Sequence, residues 1–208
     1  LRALLRDSSA VAITEFALSL PVLLIFGLGG IEVANYTLTH MRVSQLAVSL
    51  ADNASRAKEE SVSGTPRFRE YDVNQSFLAS ELQSSGLNLD TNGRLILSSL
   101  EVNDDGGQWI HWQRCFGDAP YTSSYGVEGD GESGTGFAGM GPIGRRVTAE
   151  EDYAIMVAEV FYDYEPVALG TFIPDSPIRK FAAMYVRDDR DLSQIYNPAP
   201  AATVSSCN

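Results

Sequence analysis

The chain has 208 residues, a net charge of −12 and 44% hydrophobic residues, enough for one apolar segment and one folded domain of ordinary size. Residues 1–60 hold five Lys/Arg against six Asp/Glu, while residues 61–208 hold ten against twenty-one. A field of that sign repels phosphate backbones and excludes nucleic acid as a partner.

Arg2 and Arg6 precede an apolar run from Val11 to Ile31, VAITEFALSLPVLLIFGLGGI, whose one charge is Glu15. A helix of that length measures roughly 31 Å, the thickness of a bilayer's hydrocarbon core. The two arginines put the N-terminal side in the cytoplasm. The run exceeds the core of a secretory signal peptide and its helical pattern continues beyond it, which favours a retained anchor. A lone carboxylate in hydrocarbon costs about 2.5 kcal/mol or more, so Glu15 either lies shallow near the head groups or meets a cation of another subunit. Thr14, Ser19, Gly27, Gly29 and Gly30 permit close helix packing in membranes, and Pro21 removes a backbone hydrogen bond. Together they favour helix association over plain anchoring.

The helix is expected to continue from Glu32 to Glu60, with Tyr36, Val43, Leu46, Ala47, Leu50 and Ala54 on one inward face. Asn35, Arg42, Gln45, Asp52 and Arg56 fall off that face. The segment SVSGTP (61–66) ends it through Gly64 and Pro66. Asn74–Ser85 reads as a short helix with Phe77, Leu78 and Leu82 inward, closed by Gly86. Arg94–Val102 and Gln108–Phe116 read as a hairpin around Asp105-Gly106. Strict alternation there puts Cys115 on the same side as Trp109. Tyr153–Tyr164 and Lys180–Arg187 read as two further strands, giving an antiparallel sheet of about four.

Cys115 and Cys207 lie 92 residues apart and belong to no metal or redox motif. Outside the cytoplasm a disulfide is the natural reading, two buried thiols being the alternative. Closing that loop restricts the unfolded chain by about 4–5 kcal/mol in the entropy model. Gly117–Gly144 holds nine glycines together with Glu128, Asp130 and Glu132. Their spacing matches neither an EF-hand nor a calcium nonapeptide repeat, so a mobile surface or subunit-contact loop is expected, with no metal and no cofactor. The two histidines, His40 and His111, fall in no nucleophile or paired-acid context, and no catalytic residue is assigned.

The stretch SSAVAITEFALSLPVLLIFGLGGIEVANY resembles the TadE/TadG-like pseudopilins of bacterial tight-adherence pili, relatives of type IV pilins. AIMVAEVFYDYEPVALG and IRKFAAMYVRDDRDLSQIYN are similar to the paired strands of that family's periplasmic domain. The resemblance implies an α+β, pilin-like fold in three parts. Residues 1–10 form a basic leader or cytoplasmic stub. Residues 11–60 form a long helix with its transmembrane half at 11–31, packed on a small antiparallel sheet. Residues 61–208 form an acidic extracytoplasmic domain. It implies cleavage by a prepilin peptidase between Ala10 and Val11, with Ala10 where such enzymes prefer glycine; an uncut chain is the other outcome. Glu15 then stands where pilins pair a glutamate with a neighbour's α-amine, and Phe16, Pro21, Gly27, Gly29 and Gly30 share the assembly helix. The implied role is a non-enzymatic subunit of a pilus or filament, a homo-oligomer or an assembly with other pilin-like subunits. It would reside in the inner membrane before assembly and outside the cell afterwards. The other reading is a single-pass adhesion or binding protein that does not polymerise.

Overall fold

The computed structural model describes residues 8–59, 64–187 and 189–207. The leader arginines Arg2 and Arg6 lie outside the described residues, as do positions 61–63 of the expected helix-ending segment. The fold is α+β: a long N-terminal helix followed by a small antiparallel sheet. The described chain divides into two compact units, one comprising the helix through His40 with Tyr164–Ser176, the other Met41–Asp163 with the residues from Pro177 onward.

Helix α1 (Ser8–Arg56) runs 49 residues without a break, although Pro21 sits inside it. Its later part follows the expected stripe. Val43, Leu46, Ala47, Leu50, Ala51 and Ala54 are all buried in the second unit, the i, i+3, i+4 face that a core demands. Arg190 donates to the carbonyls of Ala54 and Ala57 at 2.9 Å each, satisfying acceptors that a helix end leaves open.

Strand β1 (Arg67–Arg69) leads into helix α2 (Glu70–Gln83). Asp72 caps α2 by accepting from the Arg69 backbone amide at 3.0 Å. Phe77 is buried, but Leu78 and Leu82 are exposed, contrary to the sequence expectation. The inward face is built instead on Val73, Ser76, Phe77, Ser80 and Ser84. Each of the three serine hydroxyls donates to the carbonyl four residues earlier, at 2.8–2.9 Å. Serines that bond their own helix can be buried without other partners.

After the short helix α3 (Leu89–Asn92), strands β2 (Gly93–Val102), β3 (Gln108–Phe116), β4 (Ile155–Tyr162) and β5 (Ile178–Tyr185) form one antiparallel sheet in the order β3-β2-β4-β5. A turn at Asn103–Gly107 joins β2 to β3, with Gly106 at φ +78° and the Asn103 side chain accepting from the Asp105 and Gly107 amides. The register shifts at Ser99/Leu100, so that Leu100 faces Ile110 while Ser99 faces Trp112. His111 is therefore an inserted bulge residue. Because side chains alternate with period two, the extra residue reverses the faces beyond it. Ile110 and Cys115 thus join the clusters around Leu100 and Ile96 on one face, while Trp109 opposes Glu101 on the other. Trp109 and Cys115 lie on opposite faces, correcting the strict alternation.

Strand β6 (Asp191–Tyr196) pairs in parallel with β1, a two-stranded element too short to announce itself in sequence. Cys115 and Cys207 form a disulfide with Cα atoms 4.8 Å apart. The tail is also tied by hydrogen bonds, from Cys115 N–H to the Ser205 carbonyl and from Asn74 Nδ2 to that of Thr203, both 2.8 Å. The glycine-rich loop is likewise tied down. Ile110 N–H donates to the Asp130 carbonyl, Gly129 N–H to that of Ile110, and Gln113 N–H to the Glu128 carboxylate, at 2.8–2.9 Å.

Candidate functional site

Over Val11–Ile31 the helix offers its apolar side chains outward all round. Phe16 is 61% exposed, Leu18 77% and Phe26 76%. An 18-residue window reaches mean hydropathy 2.1, with none of it buried. At about 25 cal/mol per Å² of apolar surface, such a helix is driven out of water. Length and composition suit a membrane anchor.

The two hydroxyls of this run are satisfied within the helix. Thr14 Oγ1 donates to the Val11 carbonyl at 2.8 Å and Ser19 Oγ to that of Phe16 at 3.1 Å. Glu15 is on an exposed turn of the helix, and Ala10 and Val11 lie within its first turns. Pro21 does not interrupt it. A Cβ built on Gly27, Gly29 or Gly30 would meet nothing within 4 Å. The protein's own fold therefore gives no reason for glycine at these three positions, despite the roughly 1 kcal/mol each costs a helix interior relative to alanine.

Directly after the apolar run stands Glu32, a residue the sequence reading passed over. It is fully buried. Tyr164 donates its hydroxyl to Glu32 Oε1 at 2.7 Å, and the successive amides of Val167, Ala168 and Leu169 donate to Oε2 at 3.1, 2.6 and 3.0 Å. Asn35 Nδ2 in turn donates to the Tyr164 oxygen at 2.7 Å, and Tyr36 meets the Tyr164 ring edge-on at 5.1 Å. Three consecutive amides converging on one oxygen make an anion nest. The Tyr164 hydroxyl, with these amides, holds the Glu32 carboxyl below its ordinary range despite burial. Burial, and then the Glu32 carboxylate, push the Tyr164 phenol up. The segment FYDYEP, which overlaps the end of the expected strand Tyr153–Tyr164, thus ends in a clasp: Tyr162 is buried in β4 and Tyr164 reaches the helix.

Glu32→Gln keeps the shape but turns an amide NH2 toward N–H or O–H donors. Hydrogen exchange at Val167–Leu169 is then expected to quicken by about tenfold or more, as local opening becomes easier. In the unaltered protein the same protection should be full above the ordinary glutamate pKa. It should fall as pH drops through the lowered folded value, because the folded form must then give up its carboxylate.

The other candidates resolve more simply. His111 Nδ1 lies 2.9 Å from Glu101 Oε2, while Ser99 donates to Glu101 Oε1. Serine and imidazole each bind the carboxylate and the geometry shows no hydrogen bond between them, so it does not set up a nucleophile and its base. Glu128 accepts from Gln113 and pairs with Arg114 at 3.0 Å, and the Asp130 carboxylate accepts from the Val127 amide. These carboxylates serve the loop's own fold. Among the described residues no group of three or more His, Cys, Asp or Glu side chains is placed to hold a metal ion.

Residues 10–52 match the family model described as TadE-like protein. That bears out the resemblance over the apolar run and the stripe that follows it, about a fifth of the chain, and the match does not extend to the FYDYEP segment. No curated protein and no solved structure matches the chain.

Proposed function

We propose that this chain is a pilin-like structural subunit of a bacterial tight-adherence-type pilus or filament, assembling through its N-terminal hydrophobic helix. The inner membrane holds residues 11–31 before assembly, the acidic domain stands in the periplasm, and the assembled pilus is extracellular. The observation that carries this reading is the unoccupied space at Gly27, Gly29 and Gly30 on an exposed apolar helix. A plain anchor gains nothing from small residues, whereas a neighbouring helix does, because they let two backbones approach closely in lipid. Glu15 fits the same picture: its desolvation is offset only when a cation from a second subunit reaches it. The match to TadE-like proteins over residues 10–52 supports this role.

The test is Glu15→Gln in the full-length chain. Assembly, measured as sheared filament or as cross-links between 11–31 segments, is expected to fall by about tenfold or more while the disulfide-bonded domain stays folded. Undiminished assembly would remove the pairing. N-terminal sequencing of purified subunits is expected to begin at Val11, whose freed α-amine is the cation proposed to meet Glu15. A monodisperse monomer after gentle extraction would favour the non-polymerising adhesion protein instead.

A further inference from the structure

The clasp at Glu32 has a second face. Between Glu165 and Asp175 the chain reads PVALGTFIP, nine residues without a charge. The nest fastens this loop to the first residue beyond the apolar run. Val167 is 69% exposed, and Pro166 and Ala168 are exposed beside it. The helix at the same level is also apolar and open: Leu28, Ile31 and Val33 are 40%, 57% and 54% exposed. Loop and helix therefore both expose apolar side chains at the end of the spanning segment, tied together through Glu32.

Exposed apolar residues alone say little. What distinguishes this loop is where its backbone donors go. An irregular segment is ordinarily barred from lipid because its N–H groups lack partners there. Here the amides of 167, 168 and 169 turn inward to Glu32, and Ile173 N–H closes on the Gly170 carbonyl at 3.0 Å through the 3-10 turn Gly170–Phe172. Four of the loop's seven backbone amides are thus answered within the chain, and the loop is bordered by two carboxylates suited to water. We propose that residues 166–174 seat in the headgroup–acyl boundary of the membrane, as a second lipid contact that fixes the depth of α1. The proposal rests on the reading of residues 11–31 as the membrane span.

The test uses the full chain in vesicles of phosphatidylethanolamine and phosphatidylglycerol, with the photoreactive residue benzoylphenylalanine placed at Leu24, Val167 or Asp175. After irradiation, peptide masses report lipid adducts. Adducts are expected at Leu24 and at Val167, with Val167 exceeding Asp175 by about threefold or more, as an interfacial depth of several ångströms requires. Labelling at Leu24 but not at Val167, equal labelling at Val167 and Asp175, or cross-linking of Val167 to a second copy in place of lipid would each overturn the proposal. Absence of lipid adducts at Leu24 would remove the spanning assignment itself, and the proposal with it. Ala168, also exposed, takes the probe if the Val167 variant fails to fold, with the same outcomes.

Discussion

Replacing Glu70 with alanine is expected to destabilise the sheet-bearing unit by about 3–5 kcal/mol, the range seen when one partner of a buried ion pair is removed. Arg114, on β3, donates through Nε and Nη2 to both Glu70 oxygens at 2.7–3.1 Å, and the two side chains are only 13% and 4% exposed. Removing the carboxylate leaves a guanidinium that cannot deprotonate, with the half-exposed Glu128 and the Gln113 carbonyl as its remaining partners. The double variant Glu70→Leu/Arg114→Met should recover most of the loss, because two apolar groups need no partner. Urea unfolding of the full chain in detergent, followed by tryptophan fluorescence, measures both. Trp112, stacked on Phe68 at 5.5 Å, is a nearby reporter. A single-variant loss below about 1 kcal/mol would mean that water reaches the pair.

Loss of the disulfide is the other large effect. Cys115→Ser/Cys207→Ser should cost about 4–5 kcal/mol in the chain-entropy account, since the bond closes a loop of 92 residues. The remaining tail contacts are a few hydrogen bonds: Ser205 with Cys115 and Asn74, Thr203 with Asn74, and Cys207 with Arg94. None closes a loop covalently. The double variant is therefore also expected to lose its tail to limited proteolysis far faster than the parent, with the cut mapped by mass. A change of less than about 2 kcal/mol together with unchanged proteolysis would mean that the tail is held by those contacts alone.

Much of the architecture was legible because each signal was local. The stripe from Val43 to Ala54 follows a 3.6 period, and Asp105-Gly106 marks a hairpin because glycine accepts the positive φ found there. The misses have a common cause, dependence on a distant partner. Hydrophobicity favoured Leu78 and Leu82 as core residues of α2. The buried positions hold Ser76 and Ser80 instead, which only the folded chain could reveal. The bulge at His111 leaves no mark in composition, since any residue can be the inserted one. Glu32 drew no notice in the sequence beyond marking where the helix continues. Its partners lie 132–137 residues away and are mostly backbone amides, which have no sequence signature. Along the apolar run the residue types were readable, and the empty space around the glycines added the reason to look outside the chain for their use.

The acidic, glycine-rich segment and the C-terminal tail together decide what the sheet can do in company. β3 is an edge strand, and its outward amides at Ile110, Gln113 and Cys115 are answered by the Asp130 carbonyl, the Glu128 carboxylate and the Ser205 carbonyl. A neighbouring molecule thus finds no free donors at these positions on which to add a strand, and the Glu128 charge there further discourages one. Two copies of the chain are in this way kept from joining sheet to sheet along that edge. The cystine belongs to this guard, since an unlinked tail would uncover the Cys115 amide and open a route to misassembly.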